Sequence, residues 1–262
     1  MAIGIFDSGL GGLSLLRRAK KTLPDADFIY YADEAHVPYG ECTAEQIRGY
    51  LGEVFGFFRR KDVSCVIIAC NTATSAATRQ FRESFPFPVI GMEPAVKPAV
   101  EWAADSERKI VLVAATPVTV AGAKLQELIG RVDTGHTVKC AAMPGLVRLA
   151  ESCDFTTGAA ERYIRKALEG FDTDSIGTVV LGCTHFNYFK DSFAAAIGHS
   201  VQFIDGNSGT VRRLTELVSA RDLAGNGITE YYVSALPAGE EDMVRIERCF
   251  DRLDQMENYS CI

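Results

Sequence analysis

Residues 63–78 read VSCVIIACNTATSAAT, and this stretch decides the fold expected for the whole chain. The apolar run at 65–69 predicts a short buried strand. Cys70 follows directly, and the amide and hydroxyl side chains after it lead into a segment with helical character. A strand that turns into a helix at a cysteine places the sulfur at the carboxyl edge of a sheet, where open α/β folds bind their ligands.

The same design occurs a second time, in the sequence TVVLGCTH at 178–185. An apolar run again ends at a cysteine, Cys183, and a helix-like segment again follows. Each half also opens with an earlier apolar strand that leads into a turn of small residues, at 3–6 and at 110–113. This loose repeat predicts two similar lobes that face each other and present one thiol from each side.

Composition restricts the class of protein. The chain has 262 residues, 47% of them hydrophobic and 23% charged, with a formal net charge of −7, which argues against general binding to nucleic acid or to acidic membranes. No apolar run approaches the roughly 20 residues of a membrane-spanning helix, and no signal-peptide pattern is visible, so we expect a cytoplasmic protein. The spacing of the eight cysteines matches no common metal motif, and we expect neither a metal site nor disulfides.

Strands alternate with helices along the chain, which predicts an α/β fold with parallel sheets. Thr43 and Gln46 form a capping-box pattern for a helix over 43–60. Further helices are expected near 120–131 and over 242–257. We expect one lobe to comprise 1–95 plus about 207–262, with Cys70, and the other to comprise 96–206, with Cys183.

Three further features are candidates for the site. The sequence FDSGLGG at 6–12 has neither the GxGxxG spacing nor the ending of a P-loop, so it predicts a tight turn; Asp7, beside Ser8, is also placed to contact an ammonium group or to orient a neighbouring acid. Tyr39 and Gly40 form a turn whose amide and hydroxyl are available to a carboxylate. His185 has a pKa suited to proton exchange near Cys183, although a lone histidine is more often structural.

The doubled cysteine favours one kind of chemistry. Covalent thiol catalysis needs a single cysteine, usually with a histidine base. Removing a proton from one face of a carbon and delivering one to the other face needs an acid/base group on each side, and a thiol–thiolate pair can serve. The pattern therefore predicts inversion at a carbon stereocentre.

These residues resemble the glutamate racemases, the cofactor-independent amino-acid racemases of bacterial cell-wall synthesis. The resemblance rests on five segments that follow one another in the family's order: IGIFDSGLGG at 3–12, VPYG at 37–40, ACNTAT at 69–74, VIGMEPA at 89–95 and GCTHF at 182–186. One departure is Asn187, which stands after His185 and Phe186 where the family usually has proline.

The resemblance implies two pseudo-symmetric, flavodoxin-like α/β lobes with the active site between them, a homodimer, no cofactor, and glutamate as substrate. Cys70 would handle the proton of D-glutamate with help from Asp7, and Cys183 that of L-glutamate with help from His185 and Glu151. The substrate would be held by Asp7, Ser8, Pro38, Tyr39, Gly40, Asn71, Thr72, Thr116, Thr119, Thr184 and His185.

Three alternatives stay open at the level of sequence. A related racemase or isomerase would use the same thiols on aspartate, a hydantoin or maleate. A non-catalytic binding module would keep the lobes without turnover. A nucleotide-binding protein ranks third, because the chain lacks a proper phosphate loop.

Overall fold

A computed structural model describes residues 1–155, 158–218 and 224–259. The chain divides into two compact units. The first comprises Met1–Glu93 and Asn207–Phe250, and the second comprises Pro94–Gly206 together with the chain from Asp251. Each unit is built around its own sheet.

In chain order the described strands are β1 (Ile3–Asp7), β2 (Phe28–Ala32), β3 (Cys65–Ile68), β4 (Val89–Gly91), β5 (Ile110–Ala115), β6 (Val138–Ala142), β7 (Ile176–Leu181), β8 (Gln202–Ile204), β9 (Thr229–Val233) and β10 (Leu236–Pro237). The α-helices are α1 (Leu13–Thr22), α2 (Ala44–Arg60), α3 (Asn71–Ala76), α4 (Arg79–Glu83), α5 (Val96–Ala104), α6 (Pro117–Ala121), α7 (Ala123–Val132), α8 (Gly145–Glu151), α9 (Ala159–Ala167), α10 (Lys190–Ile197), α11 (Asn207–Leu217) and α12 (Glu240–Gln255). Short 3₁₀ segments lie at Tyr39–Glu41, Thr173–Ser175, Thr184–Phe189 and Met256–Asn258.

The sheet of the first unit has the order β10-β9-β2-β1-β3-β4. All neighbours in it run parallel except β10, which pairs antiparallel with β9 at one edge. The strands β1, β2 and β3 are buried along their whole length, as expected of parallel strands covered on both faces. An aromatic-rich core that includes Phe55 and Phe58 of α2 packs on this sheet.

The sheet of the second unit has the order β6-β5-β7-β8, and all its strands are parallel. The two central strands, β5 and β7, are almost entirely buried. One apolar cluster joins Val111 and Val113 of β5 to Val96 and Ala99 of α5 and to Leu125 of α7. The predicted α/β class with parallel sheets is thereby confirmed.

Two local predictions have different outcomes. The capping box of α2 is confirmed: the Gln46 backbone N–H donates to Thr43 Oγ1 at 3.2 Å, and the Thr43 N–H donates to Gln46 Oε1 at 2.8 Å. The helix expected near 120–131 is present as α7 (Ala123–Val132), but it starts three residues later and a separate short helix, α6, precedes it. Gly122 has extended dihedral angles (φ −68°, ψ 131°) and separates α6 from α7.

The boundary between the two units falls inside the last helix, α12, and not where we expected it. We expected all of 207–262 in the first unit, whereas the chain from Asp251 belongs to the second. The reason is Arg252, which donates to the Tyr188 carbonyl at 2.8 Å and to both oxygens of Asp191 at 2.7 Å. Among the described residues, no helix combines the length and the apolar character that crossing a bilayer requires.

Candidate active site

Cys70 lies two residues beyond the end of β3, and its side chain is 6% exposed. Its sulfur is the N-cap group of α3 and accepts the Ala73 backbone N–H at 3.4 Å. The Ser8 hydroxyl donates to the same sulfur at 3.5 Å. Both donors favour negative charge on the sulfur, because a hydrogen bond to the charged form of a group stabilises that form.

Asp7 ends β1, which pairs with β3 through Phe6 and Ile68. Its carboxylate is fully buried, and Oδ1 accepts the Gly9 N–H at 3.1 Å, so Asp7 does organise the tight turn. The turn needs glycine at position 12, since a Cβ there would lie 2.6 Å from the Cβ of Asp7. The neighbouring strands therefore bring Asp7 and Cys70 to the same edge of the sheet.

Tyr39 begins the 3₁₀ turn that follows Pro38 and contains Gly40. Its side chain is 1% exposed, and its ring lies 6.0 Å from that of Phe6. Burial, together with the negative charge of Asp33, raises the pKa of the Tyr39 hydroxyl well above its usual value. The hydroxyl donates its only proton to Asp33 Oδ2 at 2.6 Å, so our expectation that this hydroxyl is available to a substrate carboxylate is wrong.

Asn71 and Thr72 follow Cys70 and are both 3% exposed. The Asn71 amide nitrogen lies 3.7 Å from the sulfur of Met92. Its oxygen is buried and has no hydrogen-bond partner in the described part of the chain. A buried acceptor of this kind is costly unless a ligand or water pairs with it.

Cys183 lies at the equivalent position of the second unit, two residues beyond β7, and is 7% exposed. Its sulfur lies 3.7 Å from His185 Nδ1. The other ring nitrogen of His185, Nε2, forms a very short contact with Glu151 Oε1. Thiol, imidazole and carboxylate therefore form a continuous chain of three groups.

This chain sets the charge of His185, which is 2% exposed. Burial by itself lowers the pKa of the imidazole, but hydrogen bonds to Cys183 and Glu151 and their negative charge hold that pKa well above its ordinary value. The raised pKa favours the imidazolium form of His185. His185 directs a ring nitrogen, Nδ1, that lies 3.7 Å from the Cys183 sulfur towards that cysteine.

The threonines expected around Cys183 are all buried. Thr116 directly follows β5 and caps α6, and its hydroxyl donates to Thr119 Oγ1 at 3.0 Å. Thr184 Oγ1 lies 3.5 Å from His185 Nδ1. Because β5 and β7 are neighbours, these hydroxyl groups and Cys183 lie at one edge of the second sheet.

Sequence reasoning missed two residues that support the site. Asp33 accepts a hydrogen bond from the Tyr39 hydroxyl, and its nearness to Tyr39 in the sequence was the only indication of this role. Asn187, where the family usually has proline, donates from its side-chain amide to the Thr184 carbonyl at 3.2 Å. Asn187 thus holds the 3₁₀ segment after Cys183 by a hydrogen bond.

No group of three or more His, Cys, Asp or Glu side chains is arranged for a metal ion within the ranges that the structure describes.

In each unit a buried cysteine with hydrogen-bonding partners stands at the carboxyl edge of the sheet. The sequence profile of the family described as Asp/Glu/Hydantoin racemase matches residues 13–214. The chain belongs to this family and is an isomerase of the racemase type.

Individual relatives are similar to this chain over nearly the whole length of both proteins. The glutamate racemase of Lachnospira eligens is 43% identical over 98% of this chain and 99% of its own. That of Campylobacter curvus is 44% identical over 98% of each chain. The crystal structure of Escherichia coli glutamate racemase with L-glutamate and the activator UDP-MurNAc-Ala matches with a TM-score of 0.79 at 26% identity, over 96% of this chain and 95% of that one. The resemblance read from the five sequence segments is thereby confirmed.

Proposed function

We propose that this protein interconverts L- and D-glutamate, and that Cys70 and Cys183 exchange the proton at the α-carbon. The observation that carries the proposal is the pair of buried cysteines, each at the end of a central strand and each contacted by groups that stabilise negative charge. Full-length relatives named glutamate racemases support glutamate as the substrate.

In the direction from L to D, the Cys183 thiolate removes the α-proton and the Cys70 thiol delivers a proton to the opposite face. Afterwards Cys183 is a thiol and Cys70 a thiolate, so the enzyme is ready for the reverse reaction. Before the next L-glutamate can react, Cys70 must take up a proton from solvent and Cys183 must lose one. His185 can pass its Nε2 proton to Glu151 and take the Cys183 proton at Nδ1, after which Glu151 releases a proton to solvent.

The α-hydrogen of an amino acid is a very weak acid, so the site must stabilise carbanion character in the transition state. The hydroxyl groups of Thr72, Thr119 and Thr184 supply neutral donors for the carboxylates of the substrate, and Thr116 orients the Thr119 hydroxyl by donating to it. The buried carboxylate of Asp7 and the buried Asn71 oxygen supply acceptors for its ammonium group. This arrangement needs no cofactor to hold the substrate.

The decisive experiment is incubation of each glutamate enantiomer in deuterated water without added cofactor. We expect loss of the α-hydrogen signal by NMR together with loss of optical activity. Cys70→Ala and Cys183→Ala should each lower the rate by at least about 10²-fold, the usual effect of losing a general acid or base. Cys65→Ala is the matched control, because Cys65 is buried inside β3 and away from the sheet edge.

Near-normal turnover in either Cys70→Ala or Cys183→Ala would refute the two-thiol mechanism. Exchange of the α-hydrogen of aspartate or of a hydantoin, with no exchange in glutamate, would refute glutamate as the substrate. We further propose a cytoplasmic homodimer that supplies D-glutamate for peptidoglycan. Light scattering of the purified protein tests the dimer, and a D-glutamate requirement after gene deletion tests the role.

A further inference from the structure

Asp33 is a buried carboxylate, 3% exposed, that the proposed reaction does not use. One of its oxygens accepts the Tyr39 hydroxyl at 2.6 Å. Both oxygens also lie within 3.0 Å of His36 Nδ1. Hydrogen bonds to an ionised acceptor are short and strong, which makes this cluster a rigid link across the loop that joins β2 to the 3₁₀ turn.

The loop is held at several further points within the first unit. The Asp33 backbone N–H donates to the Asp7 carbonyl at 3.0 Å, which ties the loop to the end of β1. The Ala35 N–H donates to Ser234 Oγ at 2.9 Å, and Glu34 pairs with Arg245 at 2.7 Å. At the far side, the His36 ring stacks on Tyr50 with centroids 3.8 Å apart.

We propose that Asp33 is a positioning residue that acts through the Tyr39 hydroxyl to fix the turn at Pro38, Tyr39 and Gly40. This inference rests on the proposed function, glutamate racemisation, and on the contact between this turn and the substrate that the family resemblance implies. Because the phenol proton is committed to Asp33, the turn contributes its backbone and not the Tyr39 hydroxyl. The Asp33–Tyr39 hydrogen bond determines where that backbone lies.

The kinetic consequence is specific. A binding group that is displaced weakens substrate and transition state to the same extent, so KM rises while kcat changes little. For Asp33→Ala we expect KM to rise about tenfold with kcat within about threefold, the size expected for losing one charge-assisted hydrogen bond. Since two enantiomers have equal free energies in water, kcat/KM must fall by the same factor in both directions.

The test is a double-mutant cycle of Asp33→Ala, Tyr39→Phe and the double variant, with KM and kcat measured for both enantiomers. If Asp33 acts through the hydroxyl, the double variant is no worse than the poorer single variant. Asp33→Asn keeps an acceptor and should restore most of the loss in KM. Glu34→Ala is the matched control in the same loop and should leave KM within about twofold, because it leaves the Asp33–Tyr39 hydrogen bond in place.

The proposal would be overturned if the effects of Asp33→Ala and Tyr39→Phe on KM added up in the double variant. It would also be overturned if folded Asp33→Ala lost thermal stability but kept an unchanged KM. If Asp33→Ala does not fold, Tyr39→Phe and Asp33→Asn carry the test, and an unchanged KM in Tyr39→Phe refutes it. A wild-type protein that does not racemise glutamate would instead refute the proposed function on which the inference rests.

Discussion

Replacing Glu151 by glutamine should destabilise the second unit in a way that depends on pH. Glu151 Oε1 contacts the ring of His185, and the side chains are 13% and 2% exposed. Glutamine keeps the shape and offers an acceptor, but it removes the charge that helps to hold His185 protonated. The buried imidazole then becomes neutral or remains as an uncompensated cation.

The magnitude follows from the burial of the pair. Removing one partner of a buried ion pair costs about 3–5 kcal/mol, and the remaining acceptor of glutamine places Glu151→Gln at the lower end, about 3 kcal/mol. For a protein of this size, that corresponds to a fall of about 6–12 °C in Tm. The exposed pair of Glu161 and Arg165 on α9, 38% and 56% exposed, provides the matched control. Glu161→Gln should cost less than about 0.5 kcal/mol.

The sign of the pH dependence follows from the raised pKa of His185 in the folded protein. The stabilisation from the charged pair is fully present below the unfolded histidine pKa of about 6.5. It is lost as pH rises from there through the higher folded pKa, by at most about 1.4 kcal/mol per pH unit. The difference between wild type and Glu151→Gln should therefore be larger at pH 6 than at pH 9.

Denaturation followed by tryptophan fluorescence measures this effect in the relevant unit. The chain has one tryptophan, Trp102, which is 50% exposed and lies in α5 of the second unit. Denaturant midpoints of wild type, Glu151→Gln and Glu161→Gln would be compared at pH 6, 7.5 and 9. An equal loss for Glu151→Gln at all three pH values, or a loss no larger than that of the control, would refute the reasoning.

Two other substitutions test the packing around the sites. Gly12→Ala places a Cβ 2.6 Å from the Cβ of Asp7, so we expect at least a tenfold loss of racemisation, measured by α-proton exchange; a fully active variant would show that Asp7 tolerates displacement. Arg252→Met removes the donors to the Tyr188 carbonyl and to Asp191, and we expect a loss of about 2 kcal/mol in denaturant unfolding, since the Asp191 side chain is one-third exposed. Arg252→Lys should recover only part of this loss, because an ammonium group cannot make the two parallel bonds of a guanidinium. Full recovery would contradict the bidentate account.

Much of each unit was predictable from local sequence. The apolar runs at β1, β3, β5 and β7 predict buried parallel strands, and the pair Thr43 and Gln46 predicts the start of α2. The break at Gly122 was missed, because glycine is tolerated inside a helix and only the extended backbone there ends α6. The short antiparallel strand β10 was also missed, since two residues carry no periodic signal.

The sequence by itself determined which chemical groups stand at the strand ends: the cysteines at 70 and 183, and the histidine two residues after the second of them. These are local facts, encoded by a strand followed at once by a turn. Only the tertiary structure decided the partners of those groups. Glu151 reaches His185 from α8, and Asp33 accepts the proton of the Tyr39 hydroxyl across the loop between β2 and the 3₁₀ turn. Such partners depend on how separate segments and loops pack together. Burial then makes the electrostatic interaction between the partners stronger than it would be in water.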